Sequence, residues 1–303
     1  MATVLRVTDR LFATTDREYL LIECAQCRFL RLYPRPTLEE AQQYYPDDYY
    51  FAPRADWLSQ LAELYRRLVI LDHVRFVEQA IAGLPPDALL LDVGCSGGLL
   101  PRMLRNRGRR MLGLDNSLAA ARTAWRVNGV PVICADFLRP AIPEGSCGAI
   151  TMFHVLEHVP DPPAYLEQAR RLLQPGGRLL VQVPNAASWQ FLLFAERWNG
   201  LDVPRHLWHF RAKDLEWLLR HCGFRLRRRK YFSLRDNPAG MATSLAPSLD
   251  PMARRVRQTP ESTLQAAVKN AVYLGLTIGC LPLAALEAAF QSGSTIMIEA
   301  EPV

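Results

Sequence analysis

Leu89-Leu90-Leu91-Asp92-Val93-Gly94-Cys95-Ser96-Gly97-Gly98 carries an apolar strand straight into a glycine-rich turn, and a helical pattern begins at once behind it. Backbone in such a turn can approach a ligand closely, because glycine has no Cβ and tolerates positive φ. Alone the signal is weak, since similar turns serve dinucleotide enzymes or only allow close packing. Its surroundings decide the fold. Short apolar runs recur at 88–93, 110–114, 130–135, 148–153 and 178–183, separated by helical stretches at 98–107, 117–128 and 162–173. Repeated strand–helix units imply a parallel sheet with helices on both faces, a doubly wound α/β architecture. A helix from Lys213 to Cys222, stopped by Gly223, leads to a strand from Phe224 to Leu234, and the last strand spans Ser294 to Ala300.

Working outward, residues 56–82 predict a helix leading into the core, with Leu58, Leu61, Leu64, Tyr65, Leu68, Leu71 and Val74 at three- and four-residue steps and Gly83-Leu84-Pro85-Pro86 as its stop. Residues 1–55, marked by Cys24-x-x-Cys27 and an aromatic, proline-punctuated run from Tyr33 to Tyr50, predict a small module or lid without sheet. Residues 235–293 form an insertion between the last two strands. Within it, Ala271 to Leu286 is free of charge. A membrane span needs about 20 residues, Pro282 interrupts the run, and the last strand must return to its sheet. The expectation is therefore a helix buried against the core or a second subunit. Peripheral membrane contact through 264–290, helped by Arg254, Arg255, Arg257 and Lys269, and a homodimer are the alternatives.

The chain has 303 residues, 50% of them hydrophobic, enough for one main core with a smaller appendage. A net charge of +6 raises the question of nucleic acid. Only Lys213, Lys230 and Lys269 among the 36 basic residues are lysines, a skew that reads as codon usage rather than a binding face. The basic run Arg225 to Lys230 lies on a strand, where alternation sends side chains to both faces and dilutes any patch. No nucleic-acid partner is expected. Seven cysteines, an odd and scattered set, suit a reducing compartment. MATVLRVTDR lacks the apolar run of a secretory signal, so a cytoplasmic location is expected.

The strand tips carry the chemistry. Asp115, at the end of the second strand, is placed to accept bonds from both hydroxyls of a ribose. Asp136 and Phe137, at the third tip, suit an adenine ring, the carboxylate taking the amine and the aromatic covering a face. The fourth run ends in Phe153-His154-Val155-Leu156-Glu157-His158-Val159-Pro160-Asp161-Pro162, and the fifth follows Leu173-Gln174-Pro175-Gly176-Gly177. Across roughly 60–234 plus the last strand, LDVGCSGG, GLDNS, CADF, FHVLEHVPDP and LLQPGGRLLVQVPN resemble class I S-adenosylmethionine-dependent methyltransferases, in order and at the expected spacing. The resemblance implies a Rossmann-like sheet of seven strands, with a small amino-terminal module and a helical insertion before the last strand. It also implies S-adenosyl-L-methionine as cofactor. Asp92, Gly94, Cys95, Gly97 and Gly98 would hold its methionine end, Asp115 and Asn116 its ribose, and Asp136 and Phe137 its adenine. His154 to Leu156 would line the methyl-transfer face. Ser96 departs from the pattern, which usually has glycine there. An NAD-dependent dehydrogenase of related fold gives FHVLEH no role, and a non-catalytic cofactor-binding relative has little use for intact Asp115 and Asp136.

Methyl transfer often needs a base for the acceptor's proton. Asn199 to Phe210 places His206 and His209 beside aromatics after the fifth strand, where substrate loops normally sit. This stretch is similar to one in methyltransferases of natural-product, sugar and envelope-polysaccharide pathways, in which a histidine four residues before a phenylalanine serves as base. His206 holds that place relative to Phe210, with His209 and His154 in reserve. The acceptor is expected to be a small molecule. Residues 24–50 are similar to the amino-terminal module of the same enzymes, which usually carries two Cys-x-x-Cys pairs around zinc. Here the first pair is absent, and two thiolates do not complete a tetrahedral site. His154, Glu157 and His158 are similar to a Glu-x-x-Glu-His patch associated with a divalent ion in ubiquinone-biosynthesis O-methyltransferases, but an imidazole replaces the first carboxylate. No metal is expected.

Overall fold

The computed structural model of the chain describes residues 1–45 and 57–303. In chain order it has β1 (Ala2–Val7), β2 (Tyr19–Glu23), β3 (Leu30–Tyr33), α1 (Leu38–Gln43), α2 (Trp57–Ala80), β4 (Leu89–Val93), α3 (Leu99–Arg105), β5 (Arg110–Asp115), α4 (Leu118–Asn128) and β6 (Val132–Cys134). Then come β7 (Cys147–Phe153), α5 (Pro162–Leu172), β8 (Leu173–Pro184), α6 (Trp189–Phe194), β9 (Trp208–His209), α7 (Ala212–His221) and β10 (Phe224–Lys230). The chain closes with α8 (Asn237–Leu245), α9 (Pro251–Val256), α10 (Thr263–Ala289) and β11 (Thr295–Pro302). The Pro46 to Tyr50 part of the aromatic run, the expected boundary at 55 and the side chains of Leu58 and Leu61 lie outside the described residues.

Two compact units divide these elements. One joins Met1–Tyr49, Pro184–Asp214 and Tyr231–Ile296, and the other joins Tyr50–Val183, Leu215–Lys230 and Met297–Val303. The boundaries drawn from the sequence, at 55, 234 and 293, cut the chain differently, because strand patterns do not reveal that the amino-terminal segment and the insertion gather with residues 184–214.

The second unit holds the seven-stranded sheet, in the order β10-β11-β8-β7-β4-β5-β6. β4 pairs in parallel with β5 on one side and β7 on the other, so strand order reverses at β4 and a crevice opens beyond its carboxyl end. β5 with β6 and β7 with β8 likewise pair in parallel, and at the far edge β10 and β11 pair antiparallel. The strands read as continuous apolar runs because both faces are covered: Leu91, Leu114, Ile150 and Leu180 are all buried. Val74, Val77 and Ile81 of the α2 segment pack with Leu100 and Leu104 of α3 over Leu90, Met111 and Ala149. The expected face of α2 is only partly right. Val74 is buried, but Leu64 and Leu68 are exposed, and the buried stripe instead includes Val69, Ile70, His73 and Phe76.

β10 stops at Lys230, short of the expected Leu234, because Ser233 turns the chain by accepting the Asn237 N–H and bonding Asp236. Its basic side chains meet carboxylates of their own unit: Arg225 and Arg227 pair with Glu301, Arg228 with Glu299, Arg229 with Glu216 and Lys230 with Asp72. Charge that reads as a basic run is thus met locally.

The first unit contradicts the expectation of an amino-terminal module without sheet. It has a four-stranded antiparallel sheet in the order β1-β2-β3-β9. Tyr19, Leu21, Leu30 and Leu32 alternate inward and pack on Trp198, Leu201 and Val203. β1, β2 and β3 pair with their neighbours in sequence, but these strands are only four to six residues long, and the fourth member, β9, lies far along the chain. Arg205 fastens this region, bonding Asp9 at 3.1 Å and Asp202 at 2.8 Å with its side chain fully buried. Burial alone would raise the Asp9 carboxyl, but the charge and hydrogen bond of Arg205 outweigh it and hold the pKa below the ordinary value.

The insertion forms α8, α9 and α10 in the same unit. α10 passes unbroken through Pro282 for 27 residues, against the expected interruption, held by Cys280 against Met241 and Ala242 of α8. It is also not buried against the core of its own chain, one of the two forms of burial expected: only Thr277, Cys280, Ala284 and Glu287 reach the interior, while Leu264, Val268, Val272, Leu274, Ile278, Leu283 and Leu286 are between 41% and 74% exposed.

Candidate functional site

In the second unit the β4 turn meets the tips of β5 and β6. Gly94 and Gly98 have φ of 68° and 77°, and Ser96, standing where glycine was expected, has φ of 49°. Each lies in the left-handed region that favours glycine. A Cβ on Gly94 would come within 2.9 Å of Val155, and one on Gly98 within 3.0 Å of Ala124, so the turn is closed against both neighbours. Gly97 contributes backbone, its carbonyl accepting from Asn128. Cys95 is buried with Ala124 and Val130, so its side chain packs the turn from beneath. Burial raises its thiol pKa well above the ordinary value.

Asp115 closes the arrangement. Its Oδ2 accepts the Ser96 N–H and its Oδ1 the Ser117 N–H, both at 2.9 Å, which locks the β5 tip to the glycine turn. Asp92, on β4, accepts the hydroxyl of Thr151 on β7. Burial pushes the Asp92 pKa up to about 7, with the charge of Asp115 adding to it, and burial raises Asp115 as well. Two carboxylates sit here with neutral partners, an arrangement suited to a ligand that brings positive charge and hydroxyls. The Thr151 contact was not foreseen, since nothing in the sequence pairs these residues.

The tips of β5 and β6 are tied by the Ala135 N–H donating to the Asp115 carbonyl. Asn116 and Asp136 are exposed there, as the expected roles require. Phe137 departs from its expected role. Its ring is 2% exposed and packs 5.4 Å from Tyr165, so it braces the tip from below and presents no open face. The exposed apolar side chains at these tips are Leu118 and Leu138, which the sequence reading passed over. Leu156 is fully buried in the same way, leaving His154 as the accessible member of the 154–156 segment. His154 has φ of 57° and is clamped between two groups. Gln182 Nε2 donates to its Nε2 at 2.9 Å, so its Nδ1 carries the proton and donates to Glu157 at 2.9 Å. Both ring nitrogens are engaged, which fits an anchor better than a base.

In the first unit His206 and His209 are both nearly buried. His209, paired with Leu30 across the β3–β9 ladder, bonds the Leu201 carbonyl through Nε2 at 3.1 Å. His206 Nδ1 donates to the Gly200 carbonyl at 3.0 Å, which leaves the lone pair on Nε2, 3.7 Å from Asp202. The thiols of Cys24 and Cys27 stand in the turn between β2 and β3. Hydrogen bonds from the Cys27 N–H, then the Gln26 N–H and the Cys27 thiol, bring the Cys24 pKa down to about 7. Among the described residues no third ligand group joins them.

A family profile described as a methyltransferase domain matches residues 61–228, more than half of the chain. The ubiquinone biosynthesis O-methyltransferase of Pseudomonas paraeruginosa is 36% identical over 131 residues, which is 40% of this chain and 56% of that protein. The chain therefore matches a little over half the length of this curated relative. Among solved structures, a SAM-dependent methyltransferase from Archaeoglobus fulgidus aligns with a TM-score of 0.50 at 16% identity, covering 81% of this chain and 99% of that one. A geranyl diphosphate methyltransferase in complex with SAM aligns at 0.51 and 17% identity, covering 82% and 92%. Likeness at these identities speaks to the fold, and the profile match to the family. The chain belongs to the methyltransferase domain family, as a class I S-adenosylmethionine-dependent methyltransferase.

Proposed function

We propose that the chain methylates a small-molecule acceptor, a sugar, a quinone or another natural-product or envelope precursor, in the cytoplasm, with His206 taking the acceptor's proton. The observation that carries the reading is the pair of buried carboxylates, Asp92 and Asp115, fixed around the glycine turn with no cationic partner among the described residues. S-adenosylmethionine fits them in kind, since it brings a sulfonium, an ammonium and a ribose diol, and when bound it supplies an electrophilic methyl group. Asp115 receives the diol, Asn116 and Asp136 flank the nucleoside, and Gly94 lets the backbone close on the methionine end. His154, held by Gln182 and Glu157, anchors the loop beyond β7.

His206 is suited to the base because its Nδ1 bond to Gly200 fixes the tautomer and leaves Nε2 as acceptor. The bound cofactor would give up its methyl group and keep its sulfur as a neutral thioether, so the acceptor's proton is what the chain itself has to remove. The acceptor's proton passes to Nε2, and Asp202 steadies the imidazolium formed. The ubiquinone-pathway relatives direct an acceptor screen first to hydroxylated aromatic compounds. With a labelled donor and a turned-over acceptor, His206→Ala should leave cofactor affinity intact and cut turnover about 10²–10⁴-fold. Turnover within a factor of about two of the wild type would make His206 structural.

A further inference from the structure

α10 is 27 residues long, about 40 Å, and holds an 18-residue window of mean hydropathy 1.6 of which 22% is buried. Its two sides differ sharply. The inner side is polar and fastened: the Tyr273 hydroxyl lies 2.8 Å from Thr243 on α8, Arg254 bonds Asn270, and Glu287 accepts from Gln190 at 2.8 Å and from the Ser294 N–H at 3.1 Å. The outer side is uncharged throughout. Every exposed residue from Ala271 to Phe290 is Ala, Val, Leu, Ile, Gly, Pro or Phe. At the carboxyl end Phe290 stacks 5.3 Å from Trp189 of α6, whose next turn exposes Leu192 and Leu193. A contiguous run of exposed apolar side chains of this kind marks a binding surface rather than ordinary scattered exposure.

We propose that α10 seats the protein flat on a phospholipid bilayer, with its outer side in the boundary between headgroups and acyl chains. The helix does not cross, because α8 covers its inner side and only residues 290–294 separate it from β11. Protein-binding surfaces are rich in aromatic residues, Met and Arg and carry a polar rim. Apart from Phe290 at its carboxyl end this face is aliphatic, with glycine and proline, and its flanks at Leu276 and Leu281 are apolar too. Beside the helix, Arg255, Arg257 and Lys269 reach solvent while Arg254 is buried, and the one accessible acid there, Glu261, is already paired with Arg254 and Lys269, a balance that an anionic surface attracts. A second copy of the chain is the competing occupant, since Gly275 and Gly279 leave open space for a neighbouring helix.

Flotation of the purified protein with vesicles of phosphatidylcholine, and of equal parts phosphatidylcholine and phosphatidylglycerol, tests the proposal. The wild type should float with both, more with the anionic lipid at low salt. Ile278→Asp and Leu283→Asp, each confirmed folded by circular dichroism, should each lower partitioning at least about tenfold. Trp125→Asp, the same kind of change on exposed α4, should not. Wild-type protein that stays with neither vesicle overturns the proposal, as does light scattering that shows a dimer which Ile278→Asp splits. Neither outcome touches the methyltransferase reading, which cofactor binding checks separately.

Discussion

The strand tips around Gly94 and the helix α10 depart from ordinary burial in opposite directions. At the tips two carboxylates are taken inside, Asp92 at 5% and Asp115 at 7% exposure, while α10 leaves a row of aliphatic side chains outside. Either choice costs folding free energy, the first through lost hydration and the second through apolar surface left in water. The first is only partly offset within the chain, by the Ser96, Ser117 and Thr151 donors, and the second not at all among the described residues. Places where a sequence works against its own stability are where an outside component is expected to complete it. On the readings proposed above, that component is a cationic ligand with hydroxyls for the first and an apolar phase for the second.

The comparison breaks most directly at Asp115. Replacing it by alanine removes its bonds to a bound ribose, charge-assisted contacts worth about 1.5–3 kcal/mol, so titration calorimetry should show S-adenosylmethionine binding roughly ten- to a hundredfold weaker. Unchanged affinity would mean that the buried carboxylate serves only to fasten Ser96 and Ser117.

Glu287 sharpens the contrast, being a buried carboxylate on the inner side of the exposed helix. Burial raises its pKa to about 7, against hydrogen bonds from Gln190, Ser294 and Asn237 that pull the other way. An acid whose folded pKa exceeds its unfolded value contributes stability below the unfolded pKa and loses it as pH climbs through the folded one. The loss falls between about pH 4.5 and 7. Glu287→Gln should therefore raise the melting temperature at about pH 8 and change it little near pH 4, a gain of about 1–3 kcal/mol at the alkaline end. A wild type equally stable across that window would show that the carboxylate titrates normally.

The smallest effect lies at Ser96. Its left-handed backbone costs a residue with a Cβ about 1 kcal/mol, so Ser96→Gly should raise the melting temperature by a few degrees with the Asp115 bond retained. A lower melting temperature would show that chain entropy outweighs the relieved strain.

The tips were legible because parallel strands covered on both faces leave unbroken apolar runs, and each run ends on a residue that faces the crevice. Asp115 and Gly94 could be read in this way. The burial of Phe137 and Leu156 could not, because a side chain beside a tip turns up or down according to what packs beneath it, here Tyr165 in the case of Phe137. His154 read as a reserve base until Gln182, 28 residues further on, was seen to occupy its second nitrogen. The amino-terminal strands escaped because each has only four to six residues, too few for alternation to stand out, and the sheet is completed only by Trp208 and His209 far along the chain. α10 misled for a simpler reason: composition alone does not distinguish a helix inside a protein from one against another medium.

Gly293 stands so near Tyr231 that any Cβ on it would fall 1.8 Å from that residue's carbonyl oxygen. The chain therefore leaves β10 and returns toward β11 through almost one point, and the long excursion between them hangs from a narrow neck. A loop whose ends already touch can change in length at small entropic cost, which grows only with the logarithm of its size. The turns that join α8, α9 and α10 can thus change in length while β10 and β11 keep their pairing, and what resists exchange of the helices themselves is their side-chain contacts, such as Glu287 with Gln190 and Phe290 with Trp189.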